Sequence, residues 1–178
     1  GALKCDYMAK AVIVATGVHP RELGIPGEKE YRSKGVGYCS TCDMPLFGGK
    51  VVTVIGGGNS ALESALMGAD LAKKVYVINK NATFKGDDVL IKKLTSFPKD
   101  KVEIFYETGT KEIVGEKFVT GLKLTDKEGK EVEIKTDGIF IHIGMVPNST
   151  IVPDNVEKNP FGEIKVNVRC ETNVPGLF

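Results

Sequence analysis

The chain has 178 residues, 42% of them hydrophobic and 26% charged, with a formal net charge of +1; that is the composition of a globular domain with one core of ordinary size. Near-neutral charge gives no electrostatic case for nucleic acid or a membrane surface, and no apolar run approaches the roughly 18 residues of a membrane-spanning helix. The N-terminus, Gly1-Ala2-Leu3-Lys4-Cys5-Asp6, lacks the apolar stretch of a signal peptide. Of four cysteines, Cys39 and Cys42 form a close pair while Cys5 and Cys170 are isolated. A close pair without a secretion signal sets the expectation of a cytoplasmic redox or metal role, not of a secreted disulfide framework.

Residues 9–17 form a continuous apolar run ending in Ala15-Thr16-Gly17, and the lack of alternation predicts a strand buried on both faces. Residues 19–27, with two prolines and two glycines, read as a connection. After the cysteine pair and a turn-like stretch at residues 45–49, the β-branched residues Val51, Val52, Val54 and Ile55 predict a second buried strand over residues 50–55. Ala61, Leu62, Ala65, Leu66 and Ala69 recur at helical spacing within residues 60–72, with Lys73 and Lys74 at the C-terminal end. Residues 75–78 predict a third strand, which completes a βαβ unit. A second helix over residues 87–96 is stopped by Pro98, and residues 102–106 read as a short strand. Between residues 111 and 135 the pattern changes to short alternating stretches flanking a polar turn, the signal of a small antiparallel meander. Residues 138–144 return to a buried strand, and the proline-rich tail carries one strand-like stretch at residues 164–168. The fold class is α/β: a Rossmann-like three-layer domain with a mostly parallel sheet and an antiparallel β-meander as crossover.

Gly56, Gly58 and Ala61 satisfy G-x-G-x-x-A, with Gly57, Asn59 and Ser60 between them. The first glycine allows a tight turn, the second lets the backbone approach a pyrophosphate, and the small third residue lets helix and strand pack closely. The helix N-terminus then offers free N–H groups and a favourable dipole to the anion. The end of the next strand ordinarily separates NADH from NADPH, through an acid for the ribose hydroxyls or an arginine near the extra phosphate. Here it reads Asn79-Lys80-Asn81-Ala82-Thr83-Phe84-Lys85, with neither acid nor arginine. Lys80 and Lys85 can offer point charges to a phosphate, though not the bidentate fork of arginine, and read equally well as solvated lysines. NADPH and NADH both stay open.

Cys39-Ser40-Thr41-Cys42-Asp43 reads as a redox dithiol, as half a zinc site that finds no second pair of ligands at suitable spacing, or as two buried structural cysteines. Asp43 can move the proton that thiol–disulfide exchange requires, or serve as a turn or helix-cap acid. His142, in an apolar strand, reads as a structural histidine with its hydrogen bonds satisfied. No metal site is expected.

On these residues the chain resembles low-molecular-weight thioredoxin reductases over nearly its whole length. The shared features are Ala15-Thr16-Gly17, Gly24-Ile25-Pro26-Gly27, Gly35-Val36 leading to Cys39-Ser40-Thr41-Cys42-Asp43, and the glycine turn with Glu63 just beyond. Near the end they are Ile143-Gly144-Met145-Val146-Pro147-Asn148 and Val174-Pro175-Gly176-Leu177-Phe178. A disulfide segment directly before the nucleotide-binding glycines is the specific part. The resemblance implies that Cys39 attacks the protein disulfide substrate, that Cys42 lies nearer the flavin, and that Asp43 is the general acid/base. It also implies that Gly56, Gly57, Gly58, Asn59, Ser60, Ala61, Glu63, Asn79, Lys80, Lys85, Ile143 and Gly144 line the nucleotide site. The implied cofactors are NADPH or NADH, and FAD in the intact enzyme. The implied partner is thioredoxin or a thioredoxin-like protein, and the intact enzyme is expected to be a homodimer.

Two departures stand out. Residues 79–85 replace the family's His-Arg-Arg-x-x-x-Arg segment that grips the 2′-phosphate, and most of the flavin-binding machinery has no counterpart here. The expected organisation is a pyridine nucleotide domain with the redox pair at residues 20–143, flanked by stubs of an FAD domain at residues 1–19 and 144–178. Such a chain is not expected to retain FAD alone. The near alternative is the flavoprotein component of an alkyl hydroperoxide reductase, which shares this core. A non-catalytic nucleotide-binding redox sensor is the alternative from another class.

Overall fold

The computed structural model describes residues 7–178; Cys5 and the N-terminal segment considered above lie outside them. In chain order the elements are β1 (Val18–Pro20), β2 (Val36–Gly37), a short helix α1 (Ser40–Asp43), a 3-10 turn (Met44–Phe47), β3 (Val51–Ile55) and α2 (Asn59–Leu71). They continue with β4 (Lys74–Ile78), α3 (Asp88–Thr95), β5 (Val102–Phe105), β6 (Gly109–Gly115), β7 (Val119–Thr125), β8 (Glu131–Lys135), β9 (Gly138–Ile141) and β10 (Met145–Pro147). The chain divides into two compact units, one of Pro20–Gly144 and one of Gly1–His19 with Met145–Phe178.

The larger unit is built on a five-stranded sheet in the order β2-β9-β3-β4-β5, all of whose neighbours run parallel. Side-chain alternation divides its residues between two cores. Val52, Val54, Val75, Val77 and Phe140 join Ala61, Leu62, Ala65 and Leu66 of α2 and Leu94 of α3. Ile55, Ile78, Ile139 and Ile141 point the other way and join Ile113, Val119, Leu122, Leu124 and Ile134 of the antiparallel β6-β7-β8 meander. The layers are therefore helices, parallel sheet and meander, and burial on both faces explains why the strands read as continuous apolar runs. Gly68 brings α2 down onto the sheet: a Cβ there would stand 3.1 Å from Val75 and 3.4 Å from Val52.

In the smaller unit, β1 and β10 pair as a two-stranded sheet. Residues 9–17 do not form the buried strand that the apolar run predicts. Val12 N–H and Val14 N–H donate to the Gly176 and Phe178 carbonyls, and Phe178 N–H donates to Val12, so the segment is extended and laddered to the tail on one side. Ile13 is 79% exposed and Val12 49%. Residues 164–168 likewise make only an isolated bridge, Lys158 to Ile164. Asn148 stitches this unit together: its Nδ2 donates to the Thr16 carbonyl at 2.9 Å, its N–H donates to Gly17, and its own carbonyl accepts from Thr16 Oγ1.

Leu62 is wholly buried between α2 and the sheet, whereas Val89 stands exposed on α3. Leu62→Ala is expected to lower unfolding free energy by about 2–5 kcal/mol, and Val89→Ala by less than about 0.5 kcal/mol; denaturant titration of both checks the placement of the core.

Candidate functional site

Consecutive strands β3 and β4 lie on one side and β9 on the other, so the chain direction switches between β3 and β9. The crevice outside the carboxyl ends of two such strands is where open parallel sheets bind ligands. The glycine turn occupies that place. Gly56 has φ +145°, and a Cβ on it would collide with the His142 carbonyl at the end of β9 and stand 2.9 Å from the Ala61 Cβ. His142 N–H donates to the Ile55 carbonyl at 2.8 Å. Only glycine lets the two strand ends and the start of α2 meet this closely.

Gly58 begins α2 with no side-chain cap, and a Cβ built on it meets nothing within 4 Å. This 13-residue helix therefore starts without a side-chain cap, with the positive end of its dipole at Gly58. Asn59 and Ser60 are exposed in that first turn, Ala61 is buried against the strand, and Glu63 is exposed one turn on.

Residues 79–87 close over the turn from the β4 side. Lys85 N–H donates to the Gly57 carbonyl at 2.7 Å. Asn59 and Asp87 exchange two bonds, Asp87 N–H to Asn59 Oδ1 and Asn59 Nδ2 to Asp87 Oδ2. Asp87 drew no attention in the sequence, since its partner lies 28 residues away. Asn79 is 1% exposed; its Nδ2 donates to the Thr83 carbonyl and its Oδ1 accepts from Asn81 N–H. It stands directly under Gly57, where a Cβ would meet its Oδ1 at 2.6 Å. Its side chain therefore props the turn and the loop together. Lys80 and Lys85 are exposed on that loop. Ile143 packs partly buried against the meander-side core, and Gly144, at φ +107°, accepts a hydrogen bond from Arg21 N–H.

The cysteine pair sits at the carboxyl end of β2, beside β9, on the same edge of the sheet. Cys39 and Cys42 form a disulfide with Cα atoms 5.4 Å apart, and both residues are exposed. Cys39 is the N-cap of the four-residue α1, and fully buried Met44 anchors the following turn in the helix-side core. Asp43 is half-buried; it shares a pocket of about 150 Å³ with Gly37, Phe47 and Phe140, and a Cβ on Gly37 would stand 3.0 Å from its Oδ2. Ahead of the pair, buried Glu28 accepts from Leu23 N–H, Gly24 N–H and Tyr38 Oη, tying the connection after β1 to the residue before Cys39. Burial and the adjoining Glu28 push the Tyr38 phenol well above its usual range. Among the described residues no group of His, Cys, Asp and Glu is arranged to hold a metal ion, and Cys170 is a free, exposed thiol.

Beneath the pair lies an arrangement that sequence spacing did not reveal. Ser40 Oγ is 2.7 Å from His142 Nε2 and 2.5 Å from Ser64 Oγ. Burial holds the His142 imidazole below its ordinary value near 6.5, so the ring is neutral at pH 7.

With this geometry in view, the comparisons with known proteins are direct. The Pyridine nucleotide-disulphide oxidoreductase family description matches residues 3–178. The chain belongs to this family. It is 44% identical over 171 residues to a Bacillus subtilis protein named NADH dehydrogenase, covering 96% of this chain and 33% of that protein. It is also 44% identical over 180 residues to the F component of alkyl hydroperoxide reductase from Pseudomonas aeruginosa, covering 100% and 33%. Among solved structures, the T. acidophilum thioredoxin reductase superposes with a TM-score of 0.86 at 38% identity, covering 97% of this chain and 57% of that one. The Lactococcus lactis thioredoxin reductase gives 0.87 at 31%, with the same coverage. The chain thus spans about a third of the curated relatives and somewhat over half of the solved ones. The Rossmann-like α/β fold of a thioredoxin reductase-like disulfide oxidoreductase, expected from the sequence, is the fold observed. No helix among the described residues is long and apolar enough to cross a membrane.

Two outcomes check this site. Gly56→Ala is expected to lower the thermal midpoint clearly, since the added methyl meets backbone, while Gly58→Ala leaves the midpoint within a few degrees because its Cβ points into open space. The second concerns pH. The folded-state pKa of His142 lies below its unfolded value, so the unfolded chain takes up the proton first, and the stability owed to the neutral ring is present above about pH 6.5 and lost as pH falls below it. Midpoints measured from pH 8 to 5 should fall less steeply at the acid end for His142→Gln than for the parent chain.

Proposed function

We propose that the chain is the pyridine-nucleotide and redox-disulfide part of a thioredoxin reductase-like flavoenzyme. Residues 20–143 form the nucleotide domain, and residues 1–19 and 144–178 belong to an FAD domain that a longer protein completes. One observation carries the reading: a CxxC disulfide and an uncapped glycine turn lie on the same carboxyl edge of one parallel sheet, the turn at its switch point. The donor set suits a pyrophosphate, with Gly56 and Gly58 free of side chains, Gly57 held over Asn79, and the start of α2 uncapped. The smaller unit carries no helix among its described residues, hence no comparable glycine cradle, so the FAD would be held chiefly by the remainder of the protein.

The nicotinamide nucleotide supplies a hydride and FAD a two-electron relay; the chain's own residues position the former and do the thiol chemistry. Gly56, Gly57, Gly58, Asn59, Ser60 and Ala61 hold the dinucleotide, with Glu63, Ile143 and Gly144 bordering it and Asn79 supporting the turn. Once the disulfide is reduced, Cys39, as a thiolate, attacks a sulfur of the partner's disulfide. Cys42 then attacks Cys39 of the mixed disulfide, which closes the Cys39–Cys42 bond and releases the partner as a dithiol. Asp43 holds the proton that these steps move. The partner is thioredoxin or a thioredoxin-like protein, the intact enzyme works as a cytoplasmic homodimer, and the relatives named NADH dehydrogenase favour NADH over NADPH at a loop without arginine. The curated relatives named for the F component of alkyl hydroperoxide reductase support a second reading, in which the same core passes electrons toward a peroxide-reducing partner. A thioredoxin-like region at the N-terminus of the full reading frame would decide for it.

Calorimetric titration is expected to show NADH binding more tightly than NADPH, with Gly58→Ala weakening both although it leaves folding intact. In the full-length protein supplied with thioredoxin, dithionitrobenzoate reduction should vanish in Cys39→Ser and in Cys42→Ser. Full turnover without either thiol would sink the mechanism.

A further inference from the structure

Ser40, Ser64 and His142 come from α1, α2 and the end of β9, 24 and 102 residues apart. Nothing in the packing of a parallel sheet asks for polar groups there, and Ser40 and Ser64 are only 7% and 3% exposed. Buried hydroxyls are tolerated where they are hydrogen-bonded, and here they satisfy one another and the imidazole. With His142 Nε2 unprotonated, Ser64 donates to Ser40 and Ser40 to the ring; with Nε2 protonated, the order reverses. Either way the chain of bonds is continuous.

What the network holds is the redox loop. Ser40 follows Cys39 and opens the four-residue α1 that spans the disulfide. So short a helix closes few bonds of its own, chiefly Asp43 N–H to the Cys39 carbonyl and Met44 N–H to Ser40, and does not hold its shape unaided. The Ser40 hydroxyl, gripped from two sides, fixes the start of that turn. His142 is itself immobilised by its N–H bond to Ile55 and by Gly56 against its carbonyl. The residue that shapes the nucleotide turn thus also braces the disulfide turn.

We infer that His142, acting through Ser40, which Ser64 grips from the other side, is a positioning residue for the Cys39–Cys42 couple. It holds the loop in the disulfide-forming geometry, so that each thiol of the reduced pair meets the other at high effective concentration. The inference rests on the reading of this pair as a working redox couple. Loosening the brace frees the dithiol more than the disulfide and so favours the reduced state.

The test equilibrates the 178-residue chain with mixtures of reduced and oxidised glutathione. Two glutathione thiols give two electrons and two protons to the Cys39–Cys42 bond, which opens to two thiols as one glutathione disulfide forms. Alkylated thiols are counted by mass on the peptide that spans the pair. Ser40→Ala and His142→Ala should each shift the equilibrium constant about tenfold toward the dithiol, ~30 mV for a two-electron couple. Their combination should shift it no further, because they break one network. His142→Gln, which can still hydrogen-bond Ser40, should stay within about threefold of the parent. Circular dichroism melts verify folding; should His142→Ala not fold, the single shift of Ser40→Ala and the rescue by His142→Gln decide. Variants that titrate like the parent, or single shifts that multiply in the double variant, overturn this inference alone. A parent disulfide that never opens across the glutathione range overturns the redox reading and the inference with it.

Discussion

The contact of Gly56 with the His142 carbonyl is the constraint on which the rest of this site depends. Strands β3 and β9 are parallel neighbours, and their carboxyl ends can close on each other only where one of them carries no side chain. That closure seats the buried Ala61 against the strand and aims the start of α2 at the crevice. It also leaves the loop after β4 to fold back over Gly57. A side chain at position 56 would lift the turn away from β9 and take the helix N-terminus with it. The candidate anion cradle is in this sense a property of sheet topology, completed by one residue.

Much of this was legible in the sequence because the informative patterns were local. The glycine turn between an apolar strand and a helix of small residues announced β3, α2 and β4 to within a residue or two at each end. Pro98 marked the stop of α3, which ends at Thr95, and the polar turn around Gly129 marked the β7–β8 hairpin. The spacing of the cysteine pair left a redox dithiol, half a zinc site and two structural cysteines open, and the resemblance selected the first. Residues 9–17 were misleading for a physical reason. An unbroken apolar run records what a strand is suited to pack against; here Val12 and Val14 ladder to residues 176–178 while Ile13 stays largely exposed.

Other features had no local signature at all. Asn79 stands at the strand end where the sequence offered neither acid nor arginine, and both ends of its amide are engaged within its own loop. The pairing of Asn59 with Asp87, and the meeting of Ser40, Ser64 and His142, join positions from 24 to 102 residues apart. No periodicity encodes such contacts; they follow from which strand ends the sheet brings together. His142 was read as a histidine with its bonds satisfied, and it is one, but what satisfies it lies inside the redox motif.

The division of polar and apolar surface around the disulfide bears on how it would be used. Thiol–disulfide exchange needs a sulfur open to attack by a second sulfur, and Cys39 and Cys42 face solvent. Asp43 is half-buried, in a pocket it shares with Phe47 and Phe140. So small an element as α1 is supported from outside: Met44 packed below it, Glu28 holding Tyr38 ahead of it, and the serine–histidine network at its first residue. A four-residue helix held at three points can pass between disulfide and dithiol without losing its place on the sheet. On the proposed reading, in which the couple serves two reaction partners in turn, that persistence matters more than strength in any single contact.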